Sequence, residues 1–397
     1  MRARIKILRG VQVLLTATML LAWAAATSWA QPTVRIGELA GLTGPIGVYG
    51  QNTHNARVLA VEEINTRGGV NVRGTRHKLE LVHLDVGNPK EALNVFERLL
   101  TIEKASLIVD GLYSSVEYAL GPVIKTKNAV VVWSAGNDPA TTVGVPNAFR
   151  NNFDGGLPLM KVTEAFLKKM GVKRVATYGQ TGHADFKRFV EEYLPKVPGI
   201  EVVASEWHPF GEKDYFPVLT KIKGLKPDAV LVHGFYSDGI TMLKQAREIN
   251  LLPGPLWLNQ YGASPHMMDE ASRKLFEGTY ENLFASFAMT TEMPAKSKRF
   301  YDAYVKKFGE RGFGPWAETG YDSIYLLAKA VEKAGTVDDI PKIITALSSL
   351  TVEDVPELLA PYKPGRIFDA DRQAYPKIIV GQWKNSQLAP VMSDYGQ

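Results

Sequence analysis

Ser114-Ser115 stand where a β-branched strand pattern gives way to a helical one, so two hydroxyls and the unpaired amides of a helix start come together. Hydroxyls and free N–H groups at such a position bind a carboxylate. Glu117, three residues after Ser114, also completes a capping box that closes the helix start on itself. The two uses are compatible, since Ser114 can cap while Ser115 and the amides bind. A second candidate is the glycine-rich stretch Gly41 to Gly50 (GLTGPIGVYG). It lies between the first strand and the first helix, yet lacks both the Lys-Ser/Thr ending of a phosphate loop and the G-x-G-x-x-G spacing of a dinucleotide loop. Its glycines permit sharp turns at the carboxyl end of a strand, where ligands of open α/β sheets bind. Catalytic patterns are missing. There is no cysteine for thiolate, disulfide or zinc chemistry, and no G-x-S-x-G elbow presents a serine nucleophile. The seven histidines show no H-x-x-x-H or comparable spacing, so no catalytic residue, no metal and no cofactor is expected.

Such residues need strands that end beside helix starts, and the hydropathy pattern supplies them. From Val34 onward short β-branched runs alternate with amphipathic stretches, the mark of βαβ units on a parallel sheet. Strands are predicted at Val34–Leu39, Lys78–Val86, Ser106–Asp110 and Ala129–Ser134, with helices at Asn52–Ile64, Pro89–Glu103 and Ser114–Lys127. Gly68-Gly69 stops the first helix, and Pro89 opens the second at a first-turn position. After residues 147–158, rich in Asn, Gly and Pro, the alternation resumes with strands at Arg174–Tyr178, Ile200–Glu206, Asp228–His233 and Leu256–Asn259. Ala317, Tyr321, Ile324, Ala328 and Val331 step by four and three residues and mark the core face of a long helix. A helix over Asp338–Leu347 follows, then a strand pair, Gly365–Phe368 with Lys377–Trp383, turning at Asp369–Asp371. Two similar α/β units in tandem account for the 397 residues, which suffice for two or three cores.

Composition narrows the function classes. With 45% hydrophobic and 22% charged residues the chain is of the folded, soluble kind. Its formal charge of +5 owes much to Arg2, Arg4, Lys6 and Arg9, which precede the apolar run Val11–Ala26 with no acid before Glu38. A basic start, an apolar centre and the small residues Ser28 and Ala30 form a cleavable signal peptide, residues 1–30. The competing reading, a membrane anchor, fits less well because Gln12, Thr16, Thr18, Thr27 and Ser28 interrupt the run. Without those four cations, 42 of the 46 basic side chains remain against 41 acidic ones, so no footprint for nucleic acid survives. The mature protein is expected to be exported and periplasmic.

In chain order, Leu42-Thr43-Gly44-Pro45, Tyr49-Gly50, Glu62-Glu63-Ile64-Asn65 and Gly68-Gly69 resemble the opening of the Leu/Ile/Val-binding protein family, periplasmic solute receptors of ABC importers. The resemblance continues through Asp85 with Asn88-Pro89-Lys90-Glu91-Ala92, Ser114-Ser115 with Ala119, Asp138-Pro139-Ala140-Thr141 and Phe149-Arg150. Pro227-Asp228-Ala229-Val230, Lys244-Gln245-Ala246-Arg247 and Gly320-Tyr321-Asp322-Ser323 extend it over nearly the whole mature chain. It implies the type I periplasmic binding protein fold: an α/β chain of two doubly wound parallel-sheet lobes joined by three crossover strands, with the ligand cleft between them. Lobes so joined capture ligands by hinge closure. The implied crossovers lie near Phe149–Asp154, Leu283–Met289 and Thr351–Pro361. Residues 31–150 and 290–360 then form the first lobe, and 151–289 with 361–397 the second.

The resemblance also implies ligand contacts. The turn at Ser114 and Ser115 and the loop Ala135-Gly136-Asn137 hold a ligand carboxylate through amides and a hydroxyl, with Asn137 where Thr or Ser is usual. Tyr49 falls on an aromatic position that covers the ligand from the first lobe. From the second lobe, His183 and Phe235 match cleft tyrosines. Tyr261 lies in the segment Asn259–Gly262, where amino-acid binders of the family place an acid against the ligand ammonium. No acid stands there, and a buried ammonium without an anion loses a charge-assisted hydrogen bond worth ~1.5–3 kcal/mol. Trp133, Trp257 and Tyr261 would then line a flatter pocket for an aromatic or aliphatic carboxylate. Asp238 is the nearest other acid, although a helix-start cap explains it equally well.

The function implied is that of the solute-binding component of an ABC importer. It would capture a branched-chain or hydrophobic amino acid, or a related small carboxylate, and deliver it to an inner-membrane permease as a monomer, without chemistry of its own. Two other readings stay open: binding of aromatic or aliphatic carboxylates lacking an amino group, and a periplasmic ligand sensor on the same fold.

Overall fold

A computed structural model describes residues 31–43, 47–86, 89–111, 114–136, 138–260, 263–283 and 286–397. The signal-peptide segment, Asn137 and Tyr261 lie outside the described residues, as does the side chain of Ser115.

The first sheet comprises β1 (Thr33–Ala40), β2 (Val70–Val72), β3 (Thr75–Asp85), β4 (Leu107–Gly111), β5 (Val130–Trp133) and β6 (Ala148–Arg150), in the order β2-β3-β1-β4-β5-β6. The second comprises β7 (Arg174–Gln180), β8 (Glu201–His208), β9 (Ala229–His233), β10 (Leu256–Gln260), β11 (Tyr280–Asn282), β12 (Ile378–Lys384) and β13 (Gln387–Asp394). Its order is β13-β12-β11-β10-β9-β7-β8. Every residue of β4, β5 and β9 is buried, as central parallel strands covered by helices on both faces must be. The parallel parts, β3-β1-β4-β5-β6 and β8-β7-β9-β10-β11, repeat one strand order. In that order the chain reverses its winding between β1 and β4 and between β7 and β9. Loops leaving those neighbouring strands diverge, which opens a crevice at their carboxyl ends.

The sheets depart from the predicted pattern at their edges, where each becomes antiparallel. β2 and β3 form a hairpin turning at Arg73-Gly74, with φ of 50° and 89°, where one strand was predicted. Gly365–Phe368 is not a strand and makes only isolated bridges, Thr351 with Arg366 and Phe368 with Ala374. The C-terminal hairpin is β12 with β13, turning at Asn385-Ser386 with φ of 53° and 60°. Pro390 masks β13 in the sequence. It has no N–H to donate, and an edge strand accommodates it.

The chain passes between the sheets three times. It leaves β6 for β7, leaves β11 for the helix Ala295–Phe308, and leaves the helix Ile340–Ser348 for β12. The helices Ala295–Phe308 and Ala317–Ala334 both pack against Gly47–Thr66, the first helix after β1. All five residues of the core face predicted for Ala317–Ala334 are buried, and so is most of the rest of that helix. Burying a side chain such as Ile324 or Leu327 contributes ~1.5–3 kcal/mol. Gly320 permits the close approach to Gly47–Thr66, because a Cβ there would lie 2.7 Å from Thr53 Cγ2.

The first turns of Ala317–Ala334 fasten all three passages. Thr319 accepts from Asn151 Nδ2 at 2.7 Å, at the first passage. Glu318 Oε2 accepts from the Ala288 amide at 3.3 Å, at the second. Asp322 accepts from the amides of Leu359 and Ala360 at 2.7 and 3.0 Å, at the third. Among the described residues no helix is long and apolar enough to cross a membrane.

Candidate functional site

At the β1/β4 switch point the chain enters the helix Gly47–Thr66, whose first turn carries Tyr49. The buried Tyr49 ring lies 6.0 Å from Phe235, 6.1 Å from Tyr236 and 5.2 Å from Trp316, centroid to centroid. These are tilted and edge-on aromatic contacts. A tyrosine of the first lobe is thus enclosed by rings from the β9 end of the second and from the start of Ala317–Ala334. Burial above all, with the charges of Tyr236, Glu281 and Asp238 adding, pushes the Tyr49 hydroxyl above its ordinary range and keeps it neutral. Trp316 holds a φ of 66°, uncommon for so bulky a residue. Nothing in the sequence pattern singled it out.

Ser114 opens the helix Ser114–Ile124 after β4, and its Oγ accepts from the Asp138 amide at 3.1 Å. The turn is thereby tied to the loop at residues 134–138. Asn152 Nδ2 donates to the Ala135 carbonyl at 3.0 Å, and Thr319 Oγ1 to the Ser134 carbonyl at 3.0 Å. Asp138 in turn accepts from the Ala140 amide at 3.0 Å. The Glu117 carboxyl is directed to Thr141 and the Gly136 amide rather than to the start of its own helix. It is buried against Gly136, where a Cβ would come within 1.9 Å of Oε1. Burial raises the Glu117 pKa, opposed by the charge of Arg150. Arg150 is itself buried and donates to Gln373 and Thr141.

The second lobe contributes from the β7/β9 switch point. His183 precedes the short helix Ala184–Arg188, with Nε2 3.2 Å from Gln180 Oε1. Its ring lies 4.3 Å from His233 and 6.0 Å from Phe235. Burial, with the charge of His208 adding, pushes His183 down to about 4, and His233 is likewise lowered. Both imidazoles are therefore neutral near pH 7. Phe235 is half-buried between Tyr49, His183 and Phe210. Tyr49, His183 and Phe235, far apart in the sequence, thus meet in one place. Arg188 Nη2 lies 3.6 Å from Asp138 Oδ2, an ion pair from the second-lobe helix to the first-lobe loop.

Of the residues expected at the pocket floor, Trp133 is buried in the same apolar cluster as Tyr49, and Trp257 is buried in the main core. Asn259 is used inside the sheet: it accepts from Trp257 Nε1 at 2.9 Å and donates to Thr279 Oγ1 and the Tyr280 carbonyl at 3.0 and 2.8 Å. Asp238 makes no side-chain cap at the start of the helix Tyr236–Glu248. It is buried, and burial pushes its carboxyl up, opposed by His208 and the Gly211 amide. An acid does stand close by. Glu281 of β11 pairs in register with Asn259, is fully buried, accepts from the Ala263 amide at 3.2 Å and acts electrostatically on Tyr49. The sequence signal for it was an acid inside a short strand-forming stretch, but its strand partner is 22 residues away in the chain.

The fold also gathers histidines that chain spacing left apart. Glu38, His54 and His83 form one group, and His183, Asp185 and His233 another, with the candidate ligand atoms in each within 4.8 Å of one another. In the first group Glu38 is already satisfied by Arg57 at 2.8 Å, His54 at 2.6 Å and His83 at 3.2 Å. Burial alone would raise the Glu38 carboxyl, but these partners hold it far below the ordinary range.

The family model for periplasmic binding proteins matches residues 33–387. A Leu/Ile/Val-binding protein homolog of Brucella abortus (strain 2308) is 25% identical over 379 residues, covering 92% of each chain. The leucine-, isoleucine-, valine-, threonine- and alanine-binding protein of Pseudomonas aeruginosa is 25% identical over 355 residues, covering 87% of this chain and 90% of that one. Among solved structures, a branched-chain amino acid transporter substrate-binding protein of Streptococcus pneumoniae in complex with isoleucine superposes with a TM-score of 0.76 at 25% identity, covering 90% and 99% of the two chains. A solute-binding protein of an ABC transporter from Rhodopseudomonas palustris HaA2, in complex with p-hydroxybenzoic acid, shares the fold with a TM-score of 0.77 at 18% identity, covering 92% and 98%.

Proposed function

Because the chain belongs to the periplasmic binding protein family, we propose that it is the solute-binding component of an ABC importer. It captures a branched-chain or other hydrophobic amino acid, or a related small carboxylate, in the periplasm and delivers it to an inner-membrane permease. Residues 1–30 direct export as a signal peptide that is then cleaved, and the mature protein works as a monomer. The observation that carries this reading is the meeting of Tyr49 with Phe235 and Tyr236 across the two switch points, with the buried acid Glu281 beside them. Ser114, Ser115, Ala135, Gly136 and Asn137 anchor the ligand carboxylate. Tyr49, His183, Phe235 and Tyr261 wrap its side chain, and Glu281 accepts its ammonium. The names of the Brucella and Pseudomonas relatives support the amino-acid class. An affinity near 1 μM requires only ~8 kcal/mol net, well within reach of such a set of contacts.

A second reading, an aromatic carboxylate without an amino group, is favoured by the rings of Tyr49, Phe235 and Trp316 around the cleft. A thermal-shift panel of leucine, isoleucine, valine, phenylalanine, 4-methylpentanoate and 4-hydroxybenzoate separates the two. Stabilisation by several degrees with the aliphatic amino acids is expected. Stabilisation by 4-hydroxybenzoate alone selects the second reading, and no response to any of these carboxylates overturns both.

A further inference from the structure

We propose that the second-lobe wall of the cleft carries a divalent metal site made by His183, Asp185 and His233, with the donor set of zinc and related first-row ions. Two imidazoles and one carboxylate converge at the β7/β9 switch point with their ligand atoms within 4.8 Å. Two histidines and a carboxylate are a recurrent zinc set, with a further position open to water or a ligand. His233 is 8% exposed, and its buried Nδ1 has no hydrogen-bond partner. A buried polar atom left unpartnered is uncommon and costly. The His233 ring is held by stacking on Phe186 at 4.7 Å and 24°, so its nitrogens have a fixed direction. His183 is oriented from behind by Gln180. Because Gln180 Oε1 accepts from Nε2, the tautomer leaves a lone pair on Nδ1. Asp185 is 7% exposed and forms no ion pair among the described residues, the nearby Arg188 being engaged with Asp138.

A cation completes this arrangement. It gives the Asp185 carboxylate its countercharge and the His233 nitrogen a partner. The group at Glu38 differs in that its acid is already neutralised, although His83 Nε2 there is also buried without a partner. Its carboxylate has Arg57 as countercharge, and both of its histidines already bond to the same acid. The half-buried His183 leaves the proposed site reachable from the cleft.

The test uses the tag-free mature protein, stripped with chelator and titrated with zinc chloride by calorimetry, with bound zinc counted by elemental mass spectrometry. About one zinc per chain is expected for the native protein. Asp185→Asn and His233→Ala should each weaken binding by at least about 10-fold. His183→Gln, at a half-buried position where folding is less at risk, should do the same, and His54→Gln in the other group should retain zinc. Absence of zinc binding by the native protein overturns the proposal. So does undiminished binding in a folded variant of the trio, or loss that follows His54→Gln. Zinc is the only species titrated, so the outcome is independent of which organic ligand the cleft takes.

Discussion

Gly136 shows how tightly single residues constrain the anchor loop. The buried Glu117 carboxyl occupies the space a side chain would need, with Oε1 1.9 Å from where a Cβ would stand. Gly136→Ala must displace that carboxyl or the loop, so we expect a loss of about 1–3 kcal/mol in urea denaturation together with weakened ligand binding. A loss below about 0.5 kcal/mol would mean that the loop yields freely. Residues of this kind differ in how legible they are from sequence. Tyr49, His183 and Phe235 sit in motif positions next to strand ends, and a reading of motifs finds them. His233 ends an apolar strand and reads as core, while Trp316 acquires its role only from the backbone turn that sets it against Tyr49. Glu281 is invisible because strand pairing, not chain distance, places it beside residue 259.

The decisive element is the helix Ala317–Ala334, which grips each passage between the lobes through Glu318, Thr319 and Asp322. Its 3.6-residue periodicity and the short apolar runs of the central strands were plain in the sequence, because burial on one or both faces imposes them. The hairpins at the sheet edges were not. Pro390 breaks the β pattern, and the turn Asn385-Ser386 contains no glycine to announce it. Asp322 makes the grip sensitive to pH. Burial, opposed by the Leu359 and Ala360 amides and reinforced by Glu318, pushes it from 3.8 to about 8. The folded state therefore holds this proton more tightly than the unfolded chain, and its stabilising effect is lost as pH rises through the window from about 4 to 8. Urea midpoints of the native protein should fall across that window, and Asp322→Asn should flatten the slope. An unchanged slope in the variant would assign the titration to another group.

At the scale of the molecule, two lobes with the same strand order place their switch points face to face. Contacts between the lobes include the rings of Tyr49 and Phe235, the ion pair of Arg188 with Asp138, and the hydrogen bond from Ser264 Oγ to the Phe313 carbonyl at 2.8 Å. Arg188 is 40% exposed, so the pair is screened and adds at most ~1 kcal/mol to closure. Arg188→Ala should accordingly weaken ligand binding by no more than about 5-fold in calorimetry, mainly through faster release. A loss beyond about 50-fold would show that this pair, and not the ring contacts, governs closure.

In the proposed function the cleft recognises both ends of an amino acid, with the carboxylate held by the first lobe and the ammonium by Glu281. Calorimetric titration of the mature protein with leucine and with 4-methylpentanoate, repeated on Glu281→Gln, tests it most directly. Leucine should bind at least about tenfold more tightly than its des-amino analogue, a difference of ~1.4 kcal/mol or more, and the preference should collapse in the variant. Equal affinity for the two compounds in the native protein, or an undiminished preference in Glu281→Gln, would contradict it.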